Sequence, residues 1–133
     1  MSLKITLRDG EKLVINGAVV RSVGRTEVHV ENHVAILRGR EVMNPYEATT
    51  PARKLYFACM MAYIQPEQID LYRDQILALL SDLLDALEAP EAKAACASFA
   101  RKVALSDFYR ALEECRGLLS YEATALSRDP LAA

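Results

Sequence analysis

The opening stretch, Leu3 to Val20, constrains the fold more than any other part of the chain. Leu3, Ile5 and Leu7 alternate with Lys4, Thr6 and Arg8, the period of a strand with one buried face. Asp9-Gly10 and Asn16-Gly17 follow. Such dipeptides reach positive φ at little steric cost, so each is expected to turn a hairpin. Gly24 offers a third reversal, after which Val28 and Val30 alternate with Glu27, His29 and Glu31. A further strand is expected over Val34–Leu37. About five short strands with tight loops predict a small, curled antiparallel sheet over residues 1–43.

Asn44-Pro45-Tyr46-Glu47 marks the switch to helix, with Asn44 as N-cap, Pro45 at the first helical position and Glu47 at the reciprocal capping position. Thr50-Pro51 repeats the start signal. The helix it opens is apolar almost all round from Leu55 to Ile64. Pro66 ends that helix and starts the next, where Ile69, Tyr72, Ile76, Leu80, Leu83 and Leu87 recur at helical spacing. Leu77, Leu79 and Leu84 widen this stripe beyond what one neighbour covers. Pro90 opens a third helix, with Ala92, Cys96, Phe99 and Val103 on one face. Ser106-Asp107 caps a fourth, with Phe108, Leu112, Cys115 and Leu119 facing inward. Gly117 inside that pattern suggests close packing, and the tail 129–133 is expected to fray. The expected fold class is therefore α+β: an N-terminal β subdomain, 1–43, followed by a four-helix subdomain, 44–128.

At 133 residues with 52% apolar content, this is a single domain's length or two small subdomains. The net charge of −2 does not mark a general nucleic-acid binder. Its distribution is uneven: residues 1–44 carry seven Lys/Arg against five acids, +2, and the rest nine against thirteen, −4. No stretch approaches the ~20 apolar residues of a membrane span, and nothing has the pattern of a signal peptide. A cytoplasmic protein is expected. Cys59, Cys96 and Cys115 lack paired CxxC spacing and are expected to be reduced, buried thiols. His29 and His33 have no cysteine near them in sequence, so no metal site is expected.

No catalytic constellation is present. The serines lack a nucleophile-elbow setting, no glycine-rich loop precedes a GK[ST] tripeptide, and no cofactor is implied. Residues 1–45 contain no Phe, Tyr or Trp, so the β part offers no aromatic platform for stacked bases. If the β part binds RNA, contact falls to Arg and Lys, to backbone groups and to His29 or His33, with arginine better suited than lysine because its planar fork stacks and pairs bidentately. The candidates are Arg8, Arg21, Arg25, Arg38 and Arg40; the alternative is that each is a solvated strand-end charge. The helix residues Leu55, Tyr56, Phe57, Met60 and Met61 read either as core or as a partner-binding face. Arg53, Lys54 and Arg73 are placed to line a groove beside it, or to be ordinary surface charges.

Three blocks carry a family resemblance. The first is Gly10-Glu11-Lys12 with Asn16-Gly17-Ala18-Val19. The second is Thr50-Pro51-Ala52-Arg53-Lys54-Leu55-Tyr56-Phe57, running on through Met60-Met61-Ala62-Tyr63. The third is Phe108-Tyr109-Arg110-Ala111-Leu112 with Leu118-Leu119-Ser120-Tyr121-Glu122. Their order and spacing resemble the FlbT flagellum-biosynthesis regulators over about residues 3–124. Arg8-Asp9-Gly10 departs from the family pattern, which has Pro before the Gly, and the Val23-Gly24-Arg25 loop and the tail are shorter. The resemblance implies a non-enzymatic, post-transcriptional regulator of flagellin synthesis, acting on the 5′ untranslated leader of flagellin mRNA and on its decay. Such regulators are usually repressors, though the sign of regulation does not carry over. It implies work beside a second flagellar regulator, FlaF. The runner-up is a protein adaptor or chaperone-like assembly factor that meets FlaF or flagellin, with a homodimer as a further expectation. A shorter likeness links Gly10-Glu11-x-Leu13-x-Ile15 and Val34–Val42 to the carbon storage regulators, small β proteins that bind mRNA leaders as intertwined dimers. The positions matching that family's RNA-contacting arginines are Arg8 and Arg38, with Arg40 competing for the second because the match needs a one-residue insertion.

Overall fold

In the computed structural model, which describes residues 3–128, five strands precede four α-helices. The described residues fall into two units, one ending at Val42 and the other beginning at Met43.

In the first unit the strands are β1 (Leu3–Leu7), β2 (Lys12–Ile15), β3 (Ala18–Arg21), β4 (Thr26–Val30) and β5 (Ile36–Arg38). They form two antiparallel sheets rather than the single curled sheet expected: β1 with β4, and β3-β2-β5. The two turn dipeptides differ for a local reason. Asn16 and Gly17 both take positive φ, 51° and 84°, as the type I′ turn that matches strand twist requires, and β2–β3 is a hairpin. At Asp9-Gly10 only Gly10 is positive, at 79°, so the strands on either side do not pair. That turn is a corner that carries the chain from one sheet to the other. Gly24, at φ 76°, likewise links β3 to a strand of the other sheet. The last strand lies later than expected, at Ile36–Arg38 instead of Val34–Leu37.

Register explains the core. Ile5 pairs with Val28 and Leu3 with Val30, so the apolar residues of β1 and β4 share one face. Ile5, Leu7 and Leu13 are buried together, with Ile15, Val28, Val30 and Ile36 packed against them. The outer face of β1–β4 is polar: Glu27 holds Lys4 at 3.3 Å and His29 at 3.4 Å.

The second unit contains α1 (Pro51–Ile64), α2 (Ile69–Ala86), α3 (Pro90–Ala104) and α4 (Phe108–Arg128). α1 packs against α2 and α4, and α3 against α4. Ile76, Leu80, Leu83, Phe99, Val103, Phe108 and Leu112 are buried as the periodicity requires. The outer leucines of α2 are not: Leu77 and Leu84 are exposed and Leu79 is half-buried, because α1 covers a narrower arc than the stripe. On α4 Leu118 is fully buried in place of the expected Leu119, which is half-buried. A Cβ at Gly117 meets nothing within 4 Å, so close packing does not account for this glycine.

The caps also depart from the sequence reading. Pro45–Glu47 is one 3-10 turn, in which the Asn44 amide donates to the Glu47 carboxylate at 2.8 Å and does not cap the backbone. Ser106, at φ 58°, closes α3: its N–H bonds Val103 and the Asp107 N–H bonds Lys102, the paired bonds of a Schellman end. Asp107 alone then caps α4, accepting from the Arg110 N–H at 3.4 Å. The frayed tail expected at 129–133 lies outside the described residues.

Candidate nucleic-acid interface

The corner at Asp9-Gly10 gathers most of the arginines of the β unit. Its turn closes with the Glu11 N–H on the Arg8 carbonyl at 3.0 Å. Two further bonds lash the corner to the end of β3: Gly10 N–H to the Ser22 carbonyl at 2.8 Å, and Ser22 N–H to the Glu11 carbonyl at 2.9 Å. Asp9 then accepts the Gly24 N–H at 2.8 Å. Ser22 is buried and bonds Thr26 Oγ1 at 2.9 Å and the Gly24 carbonyl, which shapes the loop that carries Arg25. Arg8, Arg21 and Arg25 therefore emerge around one corner, all exposed.

Arg38 enters the same region from β5. It lines a shallow depression with Arg8, Asp9, Gly10, Glu11 and Gly39. Its guanidinium is fixed: Nη2 donates to the Thr6 carbonyl at 2.8 Å and to Glu11 Oε2 at 2.9 Å, and Nε donates to the same oxygen at 3.2 Å. Arg38 thereby ties β1, β5 and the corner together while its side chain stays 40% exposed. Glu11 Oε1 accepts the Arg8 N–H at 3.1 Å. That backbone bond, followed by the Arg38 contact, holds the Glu11 carboxyl below the usual carboxylate range. The two acids of the corner are thus engaged in internal bonds. Among the described residues, the side chains of Arg8, Arg21 and Arg25 make no hydrogen bond or ion pair. Arg40 is exposed in the 3-10 turn Gly39–Glu41 that follows β5.

Sequence reasoning missed the parts that hold this corner, Asp9, Glu11 and Ser22, and it missed Lys12. The register pairs Lys12 directly with Arg21 across β2–β3. A signal was available: a two-residue turn at Asn16-Gly17 fixes that pairing by counting outward.

The apolar run of α1 divides. Leu55, Tyr56 and Met60 are buried, while Phe57 and Met61 are half-buried. Phe57 lines an apolar groove of α1 and α2 with Ala48, Lys54, Ala58, Gln75, Ala78 and Leu79. Lys54 thus lies on a groove, whereas Arg73 sits 5.9 Å over the Phe108 ring and donates to Ser106 Oγ at 2.7 Å. Arg53 is exposed and donates to Thr49 Oγ1 at 3.2 Å.

The start of α1 is held from α4. Glu122 is buried; its Oε2 accepts the Ala52 N–H at 2.8 Å and its Oε1 accepts the Thr50 hydroxyl. A carboxylate there satisfies donors that a helix N-terminus leaves without partners. Cys59, Cys96 and Cys115 are free and buried. Burial pushes the Cys59 thiol up to about 12. It raises Cys115 well above the usual thiol value, with added effect from Cys59, Cys96 and Glu122, and it raises Cys96. Such thiols are poor nucleophiles. Among the described residues no three His, Cys, Asp or Glu side chains are placed to hold a metal, and no helix is long and apolar enough to cross a membrane.

Residues 3–126 match the family described as Flagellar protein FlbT. The chain is 35% identical over 123 residues to the probable flagellum biosynthesis repressor protein FlbT of a Caulobacter species, covering 92% of this chain and 94% of that one. It is 34% identical over 123 residues to the flagellum biosynthesis repressor protein FlbT of Caulobacter vibrioides, covering 92% and 87%. The probable repressor of the same name from Agrobacterium fabrum is 34% identical over 130 residues, covering 98% and 87%. No solved structure matches. With nearly its whole length aligned to relatives above 30% identity, the chain belongs to the FlbT family.

Proposed function

We propose that the protein regulates flagellum biosynthesis after transcription, by binding the 5′ leader of flagellin mRNA through the basic corner of its β unit. The observation that carries this reading is the corner itself. Arg8, Arg21 and Arg25 emerge from it without a side-chain hydrogen bond or ion pair, while Asp9 and Glu11, the two acids of the corner, are engaged by backbone N–H groups and Arg38. Arg38 and Arg40 flank the corner. Arginine suits the task because its planar fork matches phosphate oxygens and stacks on bases, which replaces the missing aromatics. The relatives' description as flagellum biosynthesis repressors supports repression as the direction. The test is direct titration of the purified protein into a transcribed flagellin leader at several salt concentrations. Contact through three to five arginines gives an affinity that falls with salt at a log–log slope of about −2 to −4. Absence of binding at low salt refutes the reading.

A second reading, docking of a protein such as FlaF or flagellin, or of a second copy of the chain, is favoured by the helical unit. Leu71, Leu77 and Leu84 of α2 are exposed, and Phe57 and Leu79 line an apolar groove. Light scattering with and without FlaF or flagellin tests it. A strict monomer that is unchanged by either protein removes it.

A further inference from the structure

Lys12 and Arg21 face each other across the hairpin. They are direct partners in the β2–β3 register, so their side chains leave the same face of the sheet with Cβ atoms about 5 Å apart. Both are exposed, and among the described residues neither side chain has an ion-pair or hydrogen-bond partner. Like charges directly opposite destabilise a strand pair. β3 is moreover an edge strand, exposed at all four residues, so nothing in its sheet screens the pair from that side. The fold has an acid close by in sequence, Glu11, but Glu11 is committed to Arg8 and Arg38. Two cations held side by side without a counter-charge form a site for an anion with adjacent negative groups.

We propose that Lys12 and Arg21 form a phosphate clamp beside the basic corner, at the end of the β2–β3 hairpin away from its turn. The ligand class is the phosphate backbone of a nucleic acid. A backbone offers successive charges, which suit Lys12 and Arg21 together with the exposed Arg8 and Arg25 of the corner, whereas a single small anion would engage few of them. The clamp rests on the leader-binding reading and adds to it a residue, Lys12. It contacts charge and not bases, so it strengthens binding to all sequences alike.

The experiment measures leader binding against salt for the wild type and for Lys12→Ala, Lys12→Arg and Lys12→Glu, with a thermal melt of each protein. Removing one phosphate contact lowers the magnitude of the log–log salt slope by about 1. Lys12→Ala is expected to show that change with a thermal midpoint unchanged or raised, since a repulsion is removed. Lys12→Arg is expected to restore the wild-type slope. Lys12→Glu places an opposite charge beside Arg21, so it is expected to raise the midpoint while weakening binding more than Lys12→Ala. A variant that melts higher yet binds worse separates a ligand contact from a structural role. Wild-type affinity and slope in both Lys12→Ala and Lys12→Glu overturn the clamp while leaving the leader-binding reading standing. Failure of the wild-type protein to bind at any salt overturns both.

Discussion

Each unit contains a charged side chain that ties distant segments together, and the two differ in what they leave open. In the helical unit Glu122 joins α4 to the start of α1, with both carboxylate oxygens filled and the side chain buried. In the β unit Arg38 joins β5 to β1 and to the corner, yet it stays 40% exposed and lies beside the unpaired Arg8. A buried, fully satisfied charge can only hold a structure. A fixed but accessible charge holds a structure and also prepositions a surface for a ligand. At these ties, then, the helical unit is closed and the β unit is open and polar.

The contrast is broken most sharply if the helical core is accessible. Cys59, Cys96 and Cys115 sit wholly inside it. Labelling by a thiol reagent must await opening of the helices, so native protein is expected to react at least about a thousandfold more slowly than denatured protein. Denatured protein is expected to yield three free thiols. Fast labelling of native protein, or a disulfide found without reductant, breaks the picture of a closed unit.

Glu122→Ala probes the same closure energetically. It removes two hydrogen bonds and leaves the Ala52 N–H without its partner in the interior. The expected loss is about 2–4 kcal/mol of unfolding free energy, read from denaturant melts. Glu122→Gln keeps an acceptor and is expected to lose less.

How much of this was visible in the sequence divides along the same line. The helical unit was legible because Thr50-Pro51, Pro90 and the apolar spacing act locally, through capping and periodicity. The stripe overreached at Leu77 and Leu84, since periodicity states which residues are apolar and not how wide the covering neighbour is. The β unit was legible strand by strand and illegible in its pairing. Asp9-Gly10 and Asn16-Gly17 look alike as dipeptides, and only the φ of the first residue separates corner from hairpin. The five arginines were found as residue types, but Glu11 and Ser22, which hold the corner, act across the two sheets. The role of Glu122 was invisible for the same reason, because its partners lie about 70 positions away.

Gly117→Ala sharpens the contrast by testing whether the helical unit has slack. The site has open space around the missing Cβ and ordinary helical backbone. Alanine is expected to stabilise the protein by up to about 1 kcal/mol, through helix propensity alone. A loss of stability would mean that the glycine serves a contact.

The smallest effect is the most specific to the β unit. Glu11 has its carboxyl held below the ordinary value of about 4.3, first by the Arg8 N–H and then by Arg38. A carboxylate whose folded value is depressed adds stability that is present above its unfolded value and lost as pH falls through its folded value. The contact is therefore intact at neutral pH and fails only on acidification through the lowered Glu11 value, beneath the ordinary carboxylate range. Because the backbone bond is the larger cause, Arg38→Ala should raise the Glu11 midpoint, followed by carboxyl NMR, only part of the way back to the ordinary value. A full return would mean that the Arg8 turn itself depends on Arg38, so that the corner is no more than an extension of the Arg38 contact. A partial return means that the turn stands by itself and presents Arg8 whether or not Arg38 is in place, which the proposed surface needs.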